Sequence, residues 1–446
     1  MNIEGEVLYR IAPKNDENRR IFDVVEKVKA KVLSVAESIG IEVEPLLVGS
    51  VAKGTHLNNP DIDIFVLFPP TTNRKDLESY GLKIGRVVLE KCEKKYAEHP
   101  YVFGKFDGLT VEIVPCYKIE DPSQKMSAVD RTPFHTNYII EHINDEQRDQ
   151  VRLLKQFLKG IGIYGAEAEI EGFSGYLCEL LVLHYGDFSS ILAHAKNCSK
   201  DFVITFDDSE HAIFDDSLIV VDPVDPKRNV ASALSEENFA TFIHACNSYY
   251  TKPRMEFFFP NEIVPEPIAD LRNMMKRRAT TLLGITFHAP RTLPDILHSQ
   301  LRKSVKAISK LCEKSGFSLT DSDYFVNDNA MLLFEFEVFS LPSVKPHKGP
   351  PVWHPNATDF IKKWTGSPNL IKGPYIKGGN WYVDIVRDFG NAKELIESKL
   401  NTLNLGRHIN EALKNEYKIL LDQELLDERY SSWLTMFFNK KFRWEY

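Results

Sequence analysis

The sequence predicts a multidomain α+β protein. Three observations carry this reading. Amphipathic helices and short apolar strands alternate along the N-terminal third. A helix-rich stretch follows, and alternation of strand and helix resumes in the last third. The 446 residues suffice for roughly two to four domains with their own cores.

The bulk numbers exclude several classes. Charged residues make up 26% and apolar residues 43%, an ordinary globular balance. The net charge of −8 carries no global basic signature, so a nucleic-acid partner would need locally gathered cations. The six cysteines are scattered without a C-x-x-C pair, which argues for reduced thiols in a cytoplasmic protein and against a zinc site. The polar N-terminus lacks a signal-peptide core, and no apolar run reaches the roughly 18 residues of a membrane span. No membrane partner is expected.

Residues 18–39 place Ile21, Val24, Val25, Val28, Val32, Val35 and Ile39 at helical spacing before Gly40. Glu42–Val48 reads as a strand running into Gly49-Ser50. A Gly-Ser turn opening a helix is an anion site, with Ser50 as cap and Lys53 within reach. Asp61–Leu67 reads as the next strand. Residues two apart share a strand face, so Asp61 and Asp63 project together while Ile62 and Ile64 enter the core. Two such carboxylates repel unless a cation lies between them, and Mg2+ suits that need. A solvated acidic edge is the alternative for the Asp-x-Asp alone.

Residues 73–93 read as a helix with Leu77, Ile84, Val87, Val88 and Cys92 inward. Thr110–Val114, ended by Pro115, reads as a strand presenting Glu112 as a third carboxylate. Three carboxylates on neighbouring strands beside a phosphate cradle suit two-metal phosphoryl transfer. Residues 146–160 form a helix with Val151, Leu154, Phe157 and Leu158 on one side and Lys155 on another. Gly160, Gly162 and Gly165 then break the helix around Tyr164. Gly172–Tyr176 opens a further helix, Ile219–Val224 is a short apolar run, and a helix spans 235–248 before a linker at Thr251-Lys252-Pro253.

In the last third, Thr281–His288, Met331–Leu341 and Trp381–Arg387 read as strands, and Pro294–Cys312 and Ala392–Leu400 as helices. This order fits a ferredoxin-like or RNA-recognition sheet. The segment Lys345–Trp353 reads as a rigid loop carrying Lys345, His347, Lys348 and Trp353, basic and aromatic as RNA contact requires. Arg272, Lys276, Arg277 and Arg278 form a second basic patch. The terminal Phe437–Trp444, with Lys440, Lys441 and Arg443, forms a third.

The stretches LLVGSVAKGT, DIDIFVLFP, VEIVPCYKI, RTPFHTNYI, VRLLKQFLKGIGIYGAE, GFSGYLCELL and VDPVDPKRNVA span residues 46–231. Together they resemble the polymerase-β-type nucleotidyltransferases and, within them, the archaeal (class I) CCA-adding family. The resemblance implies a nucleotidyltransferase palm over 1–144 and a helical domain over 145–258. It places a tRNA-binding region with a ferredoxin-like body and a tail over 259–446. It implies template-independent addition of CCA to tRNA from CTP and ATP, with Asp61, Asp63 and Glu112 holding two Mg2+. Glu112 departs from the family pattern, which has the shorter Asp there. By the same resemblance Gly49, Ser50, Lys53, Lys155 and Tyr164 bind the triphosphate, Thr132 and His135 line the nucleotide site, and Arg228 reads the base. Taken alone, Arg228 could instead pair with Asp225, and the two lysines could be surface residues.

The C-terminal region would grip the acceptor stem and upper half of tRNA by shape and phosphates. Monomer and homodimer are both open. A poly(A) polymerase-like enzyme, or a non-catalytic RNA-binding module on the same fold, are the rival readings.

Overall fold

In the computed structural model, described over residues 2–96, 99–196, 202–207 and 212–446, the chain divides into two compact units. One runs to Glu262 and includes Lys441–Tyr446; the other is Ile263–Lys440. The final six residues therefore leave the C-terminal region to which the sequence assigned them.

The first unit opens with α1 (Ile3–Ile11), capped by the Asn2 side chain, and α2 (Asn15–Ser38). Ile21, Val24, Val25, Val28 and Val32 of α2 are buried against a five-stranded sheet, as their spacing predicts. That sheet comprises β1 (Glu44–Val48), β2 (Ile62–Phe68), β3 (Glu90–Tyr96), β4 (Pro100–Phe106) and β5 (Leu109–Tyr117), in the order β1-β2-β5-β4-β3. Only β2 and β5 run parallel. The short α3 (Gly49–Lys53) leaves β1, and α4 (Arg74–Val88) covers the same face as α2.

Two expectations fail here. The helix expected to reach residue 93 stops at Val88, because Leu89 is extended and Glu90–Tyr96 forms the edge strand β3. Val87 is consequently exposed, and Cys92 stands in the strand. Pro115 does not end β5. Its missing N–H is tolerated because the ladder to β4 has already ended at Ile113, while pairing to β2 continues to Tyr117.

The helical part comprises α5 (Thr132–His142), α6 (Asp145–Ile161), α7 (Gly175–Tyr185), α8 (Phe188–Ala195) and α9 (Glu236–Thr251). A two-stranded parallel pair joins them, β6 (Phe202–Ile204) and β7 (Leu218–Val220). Their shared core also takes Val7 and Ile11 of α1, Ile139 of α5, Ile143 just after it, and Trp444. Of the cysteines, Cys116, Cys178, Cys246 and Cys312 are buried thiols and Cys92 is half-buried; Cys198 lies outside the described residues.

The second unit starts with α10 (Ile268–Arg278). It continues through β8 (Thr281–His288), α11 (Pro294–Lys314), β9 (Leu319–Val326) and β10 (Asn329–Phe336). An inserted module follows: β11 (Val344–Pro351), α12 (Ala357–Thr365), β12 (Leu370–Lys377) and β13 (Asn380–Val386). The chain then returns through α13 (Ala392–Lys399), α14 (Arg407–Asn415), β14 (Tyr417–Leu421) and α15 (Glu428–Asn439). The antiparallel sheet β14-β8-β10-β9 has the β-α-β-β-α-β order of a ferredoxin-like body, with the module inserted before α13. Its helices α11, α13 and α14 bury one face, and α10 and α15 bury the other.

The expected loop over residues 345–353 is mostly strand. β11 is an edge of the sheet β11-β13-β12, which is where a strand with three prolines can sit.

Candidate active site

The site is built from the ends of two parallel strands. Asp63 and Glu112 are paired residues of β2 and β5, so their side chains stand on one face. Along that face Phe65, Leu67, Val114 and Cys116 form a small buried cluster, while Ile62, Ile64, Val111 and Ile113 enter the main core on the other. The carboxylates thus occupy the one end of the face that is not apolar. Asp61 precedes β2 and is exposed. Burial first, then the charges of Glu112 and Asp61, push the Asp63 carboxyl up to about 7. Burial likewise raises Glu112, against the pull of Lys95.

No three His, Cys, Asp or Glu side chains close into a ready-made cage among the described residues. The donor set nevertheless fits Mg2+. It offers hard carboxylate oxygens alone, burial and two carboxylates outweigh the Lys53 charge at its central member, and Mg2+ takes one or two carboxylates and completes its shell with water and phosphate oxygens.

Gly49 is shaped by Asp63. Its φ is +72°, and a Cβ there would overlap the Asp63 carboxylate, so the turn admits only glycine. The Gly49 amide lies 3.4 Å from Thr136 Oγ1, whose hydroxyl donates to the Thr132 carbonyl. Ser50 lies inside α3 and is not its cap; that position is Val48.

The stretch that follows is clamped by one face of α6. Arg148 donates to the carbonyl of Lys53, Arg152 to those of Gly54 and His56, and Lys155 to that of Thr55. Residues 148, 152 and 155 are spaced four and three apart, the helical repeat that aligns side chains. Four successive carbonyls are thereby held by three cations.

Lys53 and Lys155 are buried, not surface residues. Both bind one carboxylate, Glu179 of α7: Lys53 Nζ to Oε2 at 2.5 Å and Lys155 Nζ to Oε1 at 3.2 Å. Thr55 Oγ1 donates to the same Oε1, and Lys155 bonds Thr55 Oγ1 at 3.0 Å. Burial pulls the Lys155 ammonium pKa down, against Glu179; Glu179 is held low by the two lysines despite its own burial. Tyr164 is half-buried, and an added Cβ on Gly175 would lie 3.2 Å from its hydroxyl and 3.6 Å from Lys155 Nζ. Lys159 sits over the Tyr164 ring at 5.2 Å and feels the Asp61 charge.

A second buried carboxylate organises the other predicted residues. Asp222 is fully buried just beyond β7. Its Oδ2 lies 2.9 Å from both His135 Nε2 and Arg228 Nη1; its Oδ1 accepts from Tyr176 Oη and the Val224 amide. Burial opposes its ionisation, but these bonds and the Arg228 charge hold the carboxyl at about 2. Arg228 therefore does not pair with Asp225, which instead takes Lys125 and Arg131. Thr132 begins α5, one turn before His135 and Thr136.

Glu179, Asp222, Arg148, Arg152 and Lys159 were missed in the sequence. A lone glutamate inside the apolar run GYLCELLVLHY is a detectable signal, since an ionised group there must be paired. Nothing local marks Asp222 above its neighbour Asp225.

The seven residues expected to touch RNA are divided between the two units. Lys441 and Arg443 fall in the first unit, where Arg443 packs on Gly162. Lys345 pairs with Asp388, and Lys440 with Asp321. His347 packs on Phe360 and Trp364 of α12, whereas Lys348 projects from the opposite strand face and Trp353 is 80% exposed. Arg278 is likewise taken by the buried Glu335.

Family models match three successive parts of the chain: a nucleotidyltransferase domain over 25–135, a tRNA nucleotidyltransferase second domain over 149–259, and a CCA-adding enzyme C-terminal domain over 278–422. The CCA-adding enzyme of Haloarcula marismortui is 38% identical over 441 residues, covering 95% of this chain and 94% of its own. That of Methanoregula boonei is 38% identical over 442 residues, covering 97% and 94%. That of Methanothermobacter thermautotrophicus is 38% identical over 438 residues, covering 95% and 94%.

Proposed function

Because the chain belongs to the family of CCA-adding enzymes and is a tRNA nucleotidyltransferase, we propose that it builds and repairs the 3′ CCA of tRNA from CTP and ATP with the carboxylates Asp61, Asp63 and Glu112 as its metal ligands. The observation that carries this reading is the enclosed pair Asp63 and Glu112, set in register on parallel strands beside the Lys53–Glu179–Lys155 cluster. Mg2+ bound at the three carboxylates would lower the pKa of the tRNA 3′-hydroxyl and neutralise the departing pyrophosphate.

The chain's own residues supply the rest. Lys53 and Lys155 share one carboxylate, so the cluster carries a surplus of positive charge that favours a triphosphate. Ser50 and Tyr164 offer hydroxyl donors, and Lys159 adds an ammonium at the Asp61 side. Thr132 and His135 line the nucleotide site. Arg228 reads the base, as a planar guanidinium with fixed donors can.

In the inserted module, the sheet face away from α12 carries Lys348, Tyr382 and Tyr375 as cross-strand neighbours, with Lys372 beside them. Tyr375 and Tyr382 stack at 5.9 Å. Aromatic planes interleaved with lysines are the chemistry of an RNA surface, and this face is the reading's contact to the upper half of tRNA. No described helix is long and apolar enough to cross a membrane. On this reading the enzyme works in the cytoplasm, with its tRNA substrate.

The test is extension of tRNA lacking CCA, with Mg2+ and CTP and ATP supplied singly and together. Ordered addition that stops after A is expected. A long A-only tail would move the protein to the poly(A) polymerases, and binding without incorporation would leave an RNA-binding module.

A further inference from the structure

We propose that Asp222 is the positioning residue of base selection, fixing the Arg228 guanidinium and the His135 ring on one buried carboxylate. The inference rests on the reading that Arg228 meets the incoming base.

Asp222 touches no site where chemistry occurs, yet four groups converge on it. One oxygen, Oδ2, takes both His135 and Arg228 at 2.9 Å. The other takes Tyr176 Oη at 3.2 Å and the Val224 amide at 3.0 Å. The backbone closes the same loop, with the Asp222 amide donating to the Arg228 carbonyl at 3.0 Å. Arg228 is thus held at both its main chain and its side chain by a single residue. Its guanidinium has five N–H donors, and only Nη1 is spent on Asp222. The side chain is 30% exposed, so the remaining edge is available to a ligand in an orientation set by the buried end.

The same carboxylate sets the imidazole. An ionised carboxylate only accepts, so His135 Nε2 carries the proton and Nδ1 is the acceptor of the neutral ring. Tyr176 stacks on that ring at 4.3 Å and 24°, while its own hydroxyl binds Asp222. Ring plane, tautomer and guanidinium are therefore coupled through one group. Bases differ in which edge positions donate and which accept, so a fixed pattern of donors discriminates between them, and a swivelling one does not.

The experiment uses the full chain and a tRNA ending in CC, with each of the four nucleoside triphosphates supplied singly. The variants are Asp222→Asn, Arg228→Lys and the pair together. Asparagine keeps the shape but loses the charge, and its NH2 must face donors at one end, either His135 and Arg228 or the Val224 amide. The expected result is a fall of about tenfold or more in the preference for ATP over UTP and GTP, larger than the fall in ATP turnover. The part of the effect that runs through Arg228 is already lost in Arg228→Lys, so the double variant should lose less selectivity than the sum of the two single losses, any further fall measuring the part carried by His135. If Arg228→Lys relaxes selectivity and Asp222→Asn does not, the proposal fails while the reading of Arg228 stands. If neither relaxes it, both fail. If Asp222→Asn lacks a cooperative thermal transition, Asp222→Glu takes its place; it keeps the charge one methylene out of register and carries the same expectation.

Discussion

Lys155 and Glu179 face each other in a closed site, Nζ 3.2 Å from Oε1, and the same carboxylate holds Lys53. Two ammonium groups on one buried carboxylate are an incomplete arrangement by charge. Removing the carboxylate should be far worse than removing either lysine. Glu179→Gln strands two buried cations, and breaking such a pairing costs roughly 3–5 kcal/mol. Urea unfolding should show that loss.

Lys155→Ala leaves Glu179 paired to Lys53 and should be milder in stability. Its expected signature is kinetic. The KM for CTP and ATP should rise about tenfold, one charged contact's worth, with tRNA binding unchanged. Steady-state kinetics with each nucleotide checks this; an unchanged KM would remove Lys155 from the triphosphate site.

Asp61→Ala and Asp63→Ala should each reduce transfer by roughly a thousandfold or more, the worth of several kcal/mol of charge stabilisation. Binding of tRNA, measured by filter retention, should persist. Gly49→Ala is a subtler probe of the same carboxylate. The left-handed backbone costs about 1–2 kcal/mol with a side chain, and the new methyl must displace Asp63. Activity should therefore fall much further than stability does.

His56 predicts a pH dependence. It is buried beside Arg152 and Lys155, with Nε2 at 3.0 Å from Asn18 Oδ1 and Glu17 as the nearby anion. Burial first, then Arg152, pulls its pKa down to about 4. The unfolded chain takes up the proton near 6.5, before the folded one does. The neutral ring's contribution is therefore complete above about 6.5 and is lost as pH falls toward 4. The shift corresponds to something on the order of 3 kcal/mol. Comparing urea unfolding of the wild type and His56→Gln at pH 7 and pH 4.5 checks it: the variant should lose less stability on acidification.

What was legible in the sequence depended on how local the signal was. The α2 spacing and the Gly-Ser, Asp-x-Asp, carboxylate-strand order are short-range patterns, and they located Asp63 and Glu112 on their strands, whereas Asp61, expected to open β2, stands one residue before it. Helical spacing failed at Val87 and Cys92 because an edge strand follows α4 without a turn residue between them. The prolines and glycine of Lys345–Pro351 read as loop, yet a sheet edge tolerates their missing donors. The local alternative for Arg228 was Asp225, three residues away, whereas the fold turns Asp225 toward Arg131 and gives Arg228 to Asp222. Which acid a cation meets is a property of the packed chain, and spacing does not carry it.

The inserted module supplies a test of RNA contact that is independent of chemistry. Lys348 and Lys372 are exposed on the face that bears the stacked Tyr375 and Tyr382. Lys345 is paired to Asp388 and should matter less. If the two exposed lysines neutralise phosphates, Lys348→Gln and Lys372→Gln should each weaken tRNA binding and lower the slope of log K against log salt by about one. Tyr375→Ala should weaken binding by roughly 1–3 kcal/mol if a base stacks there, with no change in that slope. Lys345→Gln is the control, expected to move neither quantity much. Equal effects from all three lysines would mean that the surface acts only through its overall charge, and the stacking face would lose its assignment.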